Sequence, residues 1–284
     1  MKKILAILIS VFVGLISVDS FGQLVYSNDN VEVHKLGDKL FLLKETTRFT
    51  VNILALEGED GILLMDTGFG DVSDDLSDAV NFLGKKVSVI INSHNHGDHA
   101  GGNTAFGKGI KIIGHAACTD GFRSEGNNFV PVEDEFSMEF SGMELVCIPF
   151  PGGHSQCDII VHVPALKLAC LGDLYLSESF PLVIIGVGSR AQTVVKNLKE
   201  IQSILPDDTR LFSGHGRETN MTDLAAYINM LEMTIALVRA EMKAGKSMDE
   251  IKNSKPLEAY QQWGKFFPFI TTESWITQIY QSYE

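Results

Sequence analysis

The stretch INSHNHGDHAGG, residues 91–102, sets His94, His96, Asp98 and His99 within six positions of a glycine-punctuated turn. The chain has eight histidines in all, so this one segment holds three of them. It continues KVSVIINS (86–93), an apolar run that reads as a strand buried on both faces. The motif therefore lies on the loop leaving the C-terminal end of a buried strand, where α/β proteins build sites. Imidazole and carboxylate together suit zinc and other borderline divalent metals. His94 and His96, one residue apart on a turning backbone, can reach one ion. Asp98 and His99 are adjacent, point differently and can serve a second. Gly97, Gly101 and Gly102 let the loop fold tightly around both.

Upstream, VEVHKLGDKLFLLKE has two extended runs around Gly37 and Asp38, and VNILALEGEDGILLMDTG repeats that form with a turn at 58–61. DVSDDLSDAVNFLG has helical spacing and ends at Gly84. Downstream the pattern starts over. GIKIIGH, FSMEFSGMELVCIPFPGGHS and DIIVHVPALKLACLGD read as strands, RAQTVVKNLKEIQSIL as a helix, and RLFSGHG as a short strand ending in a loop. Twice, strands combine with a helix and lead to histidine-bearing loops. That organisation predicts an α/β (α+β) fold, a four-layer αββα sandwich over residues 23–220. Residues 221–284 read as a C-terminal helical extension packed on that domain. Leu224, Ile228, Leu231, Ile235, Val238 and Met242 recur in steps of three and four and make one apolar stripe, closed by Gly245. A shorter helix, SMDEIKN, and an aromatic stretch around Trp263, Phe266, Phe267 and Trp275 follow.

Composition bounds the function. With 284 residues, 45% hydrophobic, the chain can build a core that needs no disulfide framework. A net charge of −13 argues against a nucleic-acid partner, which needs a basic surface. Lys2 and Lys3, the apolar run ILAILISVFVGLISV (4–18), and Ser20 and Gly22 before Gln23 read as a signal peptide over residues 1–22. The expectation is an exported protein, periplasmic or extracellular, without stable membrane insertion once the segment is removed; an uncleaved anchor is the alternative. Export permits disulfides, but Cys147 and Cys170 sit in strand-like runs, and no C-x-x-C pair exists. All four cysteines are expected as buried free thiols, Cys157 packing close to His154.

Three distant segments extend the opening motif: PGGHS offers His154, CLGDLY offers Asp173, and SGHG offers His215. Each alone is weak. Together and in this order, they resemble the metallo-β-lactamase superfamily of hydrolases, over about residues 30–217. The resemblance implies a metal site at one edge of an αββα sandwich, holding two zinc ions, with iron or manganese as alternatives. His94, His96 and His154 would bind the first ion, and Asp98, His99 and His215 the second. Asp173 would bridge the two. Asp66, in ILLMDTG, matches a further family motif and would stand behind the ligands, orienting a ligand loop. Asp98 would orient the attacking hydroxide and is the candidate catalytic carboxylate.

The implied reaction is attack of a bridging water or hydroxide on a small ester, lactone, thioester or amide. One alternative is a class B-like β-lactamase; Asp173 stands where those enzymes use cysteine, and Leu176 where they often place a substrate-binding lysine. The other is a mononuclear-iron sulfur (persulfide) oxygenase. GKSMDEIKNSKPLEAYQQWG with WITQIY resembles the C-terminal extension of a group of exported superfamily hydrolases. Tyr175 and Phe180, after the bridging ligand, are expected to line the substrate pocket. His34 is expected at the surface, and His115 and His162 in structural roles. The oligomeric state has no signature in the sequence.

Overall fold

The computed structural model describes residues 22–284; the expected signal segment, Gly22 apart, lies outside the described residues. Eight strands form the first sheet in chain order: β1 (Gln23–Ser27), β2 (Val31–Lys35), β3 (Leu40–Glu45), β4 (Val51–Gly58), β5 (Gly61–Met65), β6 (Val87–Ile91), β7 (Lys111–His115) and β8 (Asn128–Val132). Neighbours are antiparallel from β1 to β5 and parallel from β5 to β8. The second sheet runs β14-β13-β12-β11-β10-β9, from β9 (Phe136–Phe140), β10 (Met143–Pro149), β11 (Ile159–Val163), β12 (Leu168–Gly172), β13 (Arg210–Ser213) and β14 (Thr219–Asn220). Only β12 and β13 pair in parallel there.

The two-residue period of the strands divides their side chains between layers. Leu40, Leu42, Leu54, Leu56, Leu63 and Met65 of the first sheet meet Ile159, Val161, Val163, Leu168 and Cys170 of the second, between the sheets. The alternate residues Phe41, Leu43, Ile53, Ala55, Ile62 and Leu64 face outward onto Leu76, Ala79 and Val80 of α1 (Ser73–Phe82). Ile160, Ala169, Leu171 and Leu211 of the second sheet face the other helices. These are α4 (Ala191–Ile204), α5 (Met221–Lys243), α6 (Met248–Ser254) and α7 (Thr272–Tyr283); one-turn helices α2 (Gly97–Ala100) and α3 (Thr119–Phe122) sit in first-sheet loops. The layers are helix, sheet, sheet and helix, as expected from the sequence.

The 221–284 segment opens with a capping box. The Asn220 side chain accepts from Thr222 N and Asp223 N, at 2.8 and 3.0 Å, and Asp223 Oδ2 accepts from Asn220 N. By length and composition α5 could cross a membrane. Its stripe is spent internally: Leu224, Ile228, Leu231, Ile235 and Val238 are buried in the core shared with α4 and α7. Trp275 of α7 is fully buried there and donates through Nε1 to Thr234 Oγ1 at 3.0 Å.

Two expectations fail. His34 is 8% exposed, not at the surface, because β1, unread in the sequence, pairs along β2 and removes its edge; His34 lies opposite Leu24 and Leu42. Cys118 and Cys157 are not free thiols but form a disulfide, their Cα atoms 5.9 Å apart. Cys147 and Cys170 are free and buried, as expected.

Candidate metal centre

The strands deliver their polar residues to one end of the sandwich. From the first sheet, the β5 loop brings Asp66 and the β6 loop brings His94, His96, Asp98 and His99. From the second, the loops after β10, β12 and β13 bring His154, Asp173 and His215. All seven predicted ligand residues converge in two groups. Ligand atoms of His94, His96 and His154 lie within 4.8 Å of one another, as do those of Asp98, His99, Asp173 and His215. Asp173 stands between the groups. Its Oδ2 is 3.6 Å from His154 Nε2 and 3.4 Å from His215 Nε2, and its Oδ1 is 3.4 Å from His99 Nε2. Asp98 Oδ2 is 3.3 Å from His215 Nε2 and 3.6 Å from His99 Nε2.

Each buried imidazole is anchored through Nδ1, which turns Nε2 inward. His99 Nδ1 donates to Asp66 Oδ2 at 2.8 Å, His154 Nδ1 to the Leu182 carbonyl at 3.0 Å, and His215 Nδ1 to the Thr50 carbonyl at 2.6 Å. Asp66 also accepts from Ser93 N at 2.7 Å and Ser93 Oγ at 2.8 Å; that hydroxyl in turn accepts from His94 Nδ1 at 3.0 Å. One carboxylate, itself fully buried, thus fixes a histidine of each group, the position expected of Asp66. His94 Nε2, His99 Nε2 and Asp173 Oδ1 are buried without any hydrogen-bond partner. Polar atoms left without a partner at such a depth cost free energy, and imidazole nitrogens and a carboxylate oxygen so placed fit divalent ions once the rings give up their protons.

The electrostatics differ between the two groups. Burial, then the neighbouring imidazoles, holds His94 well below its ordinary pKa, and burial takes His154 down to about 4. These rings are neutral at pH 7 and keep a lone pair on Nε2, which in His154 faces His96 Nδ1 at 2.9 Å. Burial opposes charge on Asp173, yet the facing His215 and His99 outweigh it and hold the carboxyl well below its usual range. At His99 and His215 burial likewise loses to the facing carboxylates, Asp173 above all, and His215 rises to about 9.

Close packing around the site needs glycine at Gly214, where a Cβ would overlap Asp173 Oδ1 and the His99 ring. Sequence reading missed three supports. Asn52 Nδ2 donates to the Ser213 and Gly216 carbonyls at 3.0 and 2.9 Å, tying the His215 loop to β4. Asp158 accepts from His154 N at 3.0 Å and Ser155 N at 2.8 Å, and burial pushes its carboxyl up to about 7. Ser93 joins Asp66 to His94. The available signal for Asp158 was a carboxylate placed just before an apolar strand and four residues after a ligand histidine.

Above the donors opens a cleft of about 190 Å³, walled by Phe49, Phe69, Leu182, Phe267, Phe269 and Ile270, with Leu176 beside the floor. Tyr175 and Phe180 do not line it, contrary to expectation. The chain after Asp173 turns under the helices, so Tyr175 packs on Tyr227 and Phe180 stacks on Trp275 in the core. His115 has a structural role, its Nδ1 capping a turn by accepting from Ala117 N at 3.0 Å.

The chain is similar to known proteins in sequence and in fold. A hydroxyacylglutathione hydrolase of Hyphomonas neptunium is 29% identical over 164 residues, 55% of this chain and 61% of that protein. The chain spans 52–62% of the length of the curated relatives it matches. A metallo-beta-lactamase from Pontibacter korlensis superposes on 71% of the chain and 99% of its own, with a TM-score of 0.61 at 19% identity. The inverting sec-alkylsulfatase Pisa1 from Pseudomonas sp. superposes on 88% of the chain and 50% of its own, with a TM-score of 0.69 at 15% identity. Residues 46–252 match the metallo-beta-lactamase superfamily as a family, and with that match covering well over half its length the chain belongs to the metallo-beta-lactamase superfamily.

Proposed function

We propose that the protein is a metal-dependent hydrolase that holds two divalent ions, zinc by the chemistry of its donors, and cleaves a small ester, lactone, thioester or amide. The observation that carries this reading is the pair of donor groups, with Asp173 of one reaching to 3.6 Å from His154 of the other and buried polar atoms among them that have no hydrogen-bond partner. His94, His96 and His154 would hold one ion, Asp98, His99 and His215 the other, and Asp173 both. Bound ions of this kind lower the pKa of a shared water and take up negative charge on a substrate oxygen.

The chain's own residues supply order. Asp66 and the Thr50 and Leu182 carbonyls bind the Nδ1 atoms of His99, His215 and His154 and so turn each Nε2 toward the donor groups. Asp98 faces the cleft and can accept a hydrogen bond from the attacking water, orienting its lone pair. The aromatic walls exclude bulk water, which strengthens each electrostatic interaction at the floor.

We also propose that the protein is exported. The apolar run 4–18 carries that reading, and the Cys118–Cys157 disulfide supports it, because such bonds persist in oxidising compartments. Elemental analysis of the purified protein, with a panel of ester, lactone, thioester and lactam substrates, tests the hydrolase. The expected result is about two zinc ions per chain and hydrolysis lost to chelator. One iron with oxygen consumption would sink it, and specific turnover of a lactam alone would favour a β-lactamase. Cell fractionation with N-terminal sequencing at Gln23 tests export; an intact N-terminus in the cytosol overturns it.

A further inference from the structure

The floor of the cleft is polar and its walls are not. Apart from His96, Asp98, His154, Asp173 and His215, every described residue lining it carries a hydrocarbon side chain, and none is Lys or Arg. Phe49 is the hub. Its ring meets His215 at 5.1 Å, Phe267 at 5.2 Å, Phe69 at 5.8 Å and Phe269 at 6.0 Å, all edge to face. Phe269, at the mouth, is 50% exposed, an aromatic ring left in water beside a concave polar floor. Arg48 stacks over the Phe69 ring, 4.3 Å from its centroid, but its guanidinium is committed to Asp71. A carboxylate on the far end of a substrate would lose its hydration among these walls and gain no partner. A flat or aliphatic group would gain burial and edge-to-face contact.

We propose that the substrate's non-reacting portion is an uncharged aryl or short alkyl group, seated against Phe49, Phe267 and Phe269. Peptide thioesters and lactam acids, whose carboxylates need a cation or N–H donors in the wall, fit it poorly. The small cleft also sets a limit, lying below the roughly 300–1,000 Å³ of sites for drug-sized ligands. The reaction at the floor rests on the hydrolase reading above; the chemistry of the walls does not.

Two matched pairs test the proposal. 4-Nitrophenyl butyrate and the 4-nitrophenyl half-ester of succinic acid differ by a remote carboxylate. Zinc-loaded protein should hydrolyse the neutral ester with kcat/KM about tenfold or more above the acid. Butyranilide and succinanilic acid, titrated into the same protein by NMR over a time in which their own signals stay intact, read binding in the cleft separately from turnover, and the neutral anilide should bind more tightly. Phe269→Arg, at an exposed position, should shift both preferences toward the carboxylate while the bound metal is unchanged. If neither ester turns over but butyranilide is preferred, the hydrolase reading fails and this proposal stands. Equal binding of the anilides, preference for the acid, or no binding of either overturns the proposal, whatever the rates.

Discussion

At the scale of single residues, two buried carboxylates do opposite work. Asp66 accepts three hydrogen bonds, from Ser93 N, Ser93 Oγ and His99 Nδ1. Asp66→Asn keeps the shape but puts an N–H₂ where one donor must be accepted. The expected result is a loss of metal affinity of about 10–100-fold, by analogy with other residues that orient metal ligands, measured by competition with a chelating dye. Unchanged affinity would show that Asp66 does not orient the ligands. Glu45, at the end of β3, accepts from Phe69 N at 3.0 Å and Thr47 Oγ1 at 2.7 Å, and so holds the loop that presents Phe69 to the cleft. Here burial wins, and the carboxyl is raised above its ordinary 4.5. Because the folded value is the higher, the stabilising contribution is complete below pH 4.5 and is lost as pH rises through the raised value. Glu45→Gln keeps an acceptor for Phe69 N and removes the ionisation. Denaturation of parent and variant at several pH values should show the variant gaining on the parent as pH rises. A difference in stability that stays constant with pH would refute the assignment.

At the scale of elements, the disulfide joins the turn before α3 to the loop that carries His154, across 39 residues of sequence. On the loop-closure account, a bridge over such a span stabilises by about 3–4 kcal/mol. Replacing both cysteines by alanine should lower Tm by about 5–10 °C for a chain of this size, read by scanning calorimetry. No change in Tm would mean the bridge is not formed or closes a loop already rigid. Neither partner could be paired from the sequence, because what brings Cys118 to Cys157 is the packing of β7's loop against the second sheet. The same reasoning separates what was legible from what was not. Most strands announced themselves as short extended or apolar runs between turn residues, and most ligands by clustering in glycine-flanked turns after apolar runs. The cleft walls had no such signal: Phe49 and Phe69 are isolated in sequence, Phe267 lies in an aromatic stretch that read only as part of the C-terminal extension, and the three meet only through tertiary packing. Tyr175 and Phe180 misled because nearness to Asp173 in sequence was read as nearness to the cleft. The chain instead carries them beneath α5 and α7.

At the scale of the whole molecule, the site lies where the two sheets meet, and each donor group draws from both. His94 and His96 come from the first sheet and His154 from the second; Asp98 and His99 face Asp173 and His215 in the same way. The protein's own ties there are specific: Asn52 Nδ2 of β4 reaches the Ser213 and Gly216 carbonyls, His215 Nδ1 the Thr50 carbonyl, and Ile159 N the Ser93 carbonyl across the gap. Between the sheets, the apolar core holds regardless of any ion. An ion bound to donors from both sheets would therefore act as a staple on one end of a sandwich whose apolar core contributes no ligand to it. It should stabilise by mass action, by about 2.7 kcal/mol at a free concentration one hundred times Kd. Chelation should lower Tm without abolishing the cooperative transition, and added zinc should raise it progressively with concentration. Amide exchange should localise the effect: backbone amides at Asn52, His99 and Gly214 should lose protection on chelation, while β3 and β11 in the core keep theirs. Complete unfolding on chelation would mean that the core alone does not sustain the fold. A Tm and an exchange pattern indifferent to metal would mean that these donors do not bridge the sheets through an ion at all.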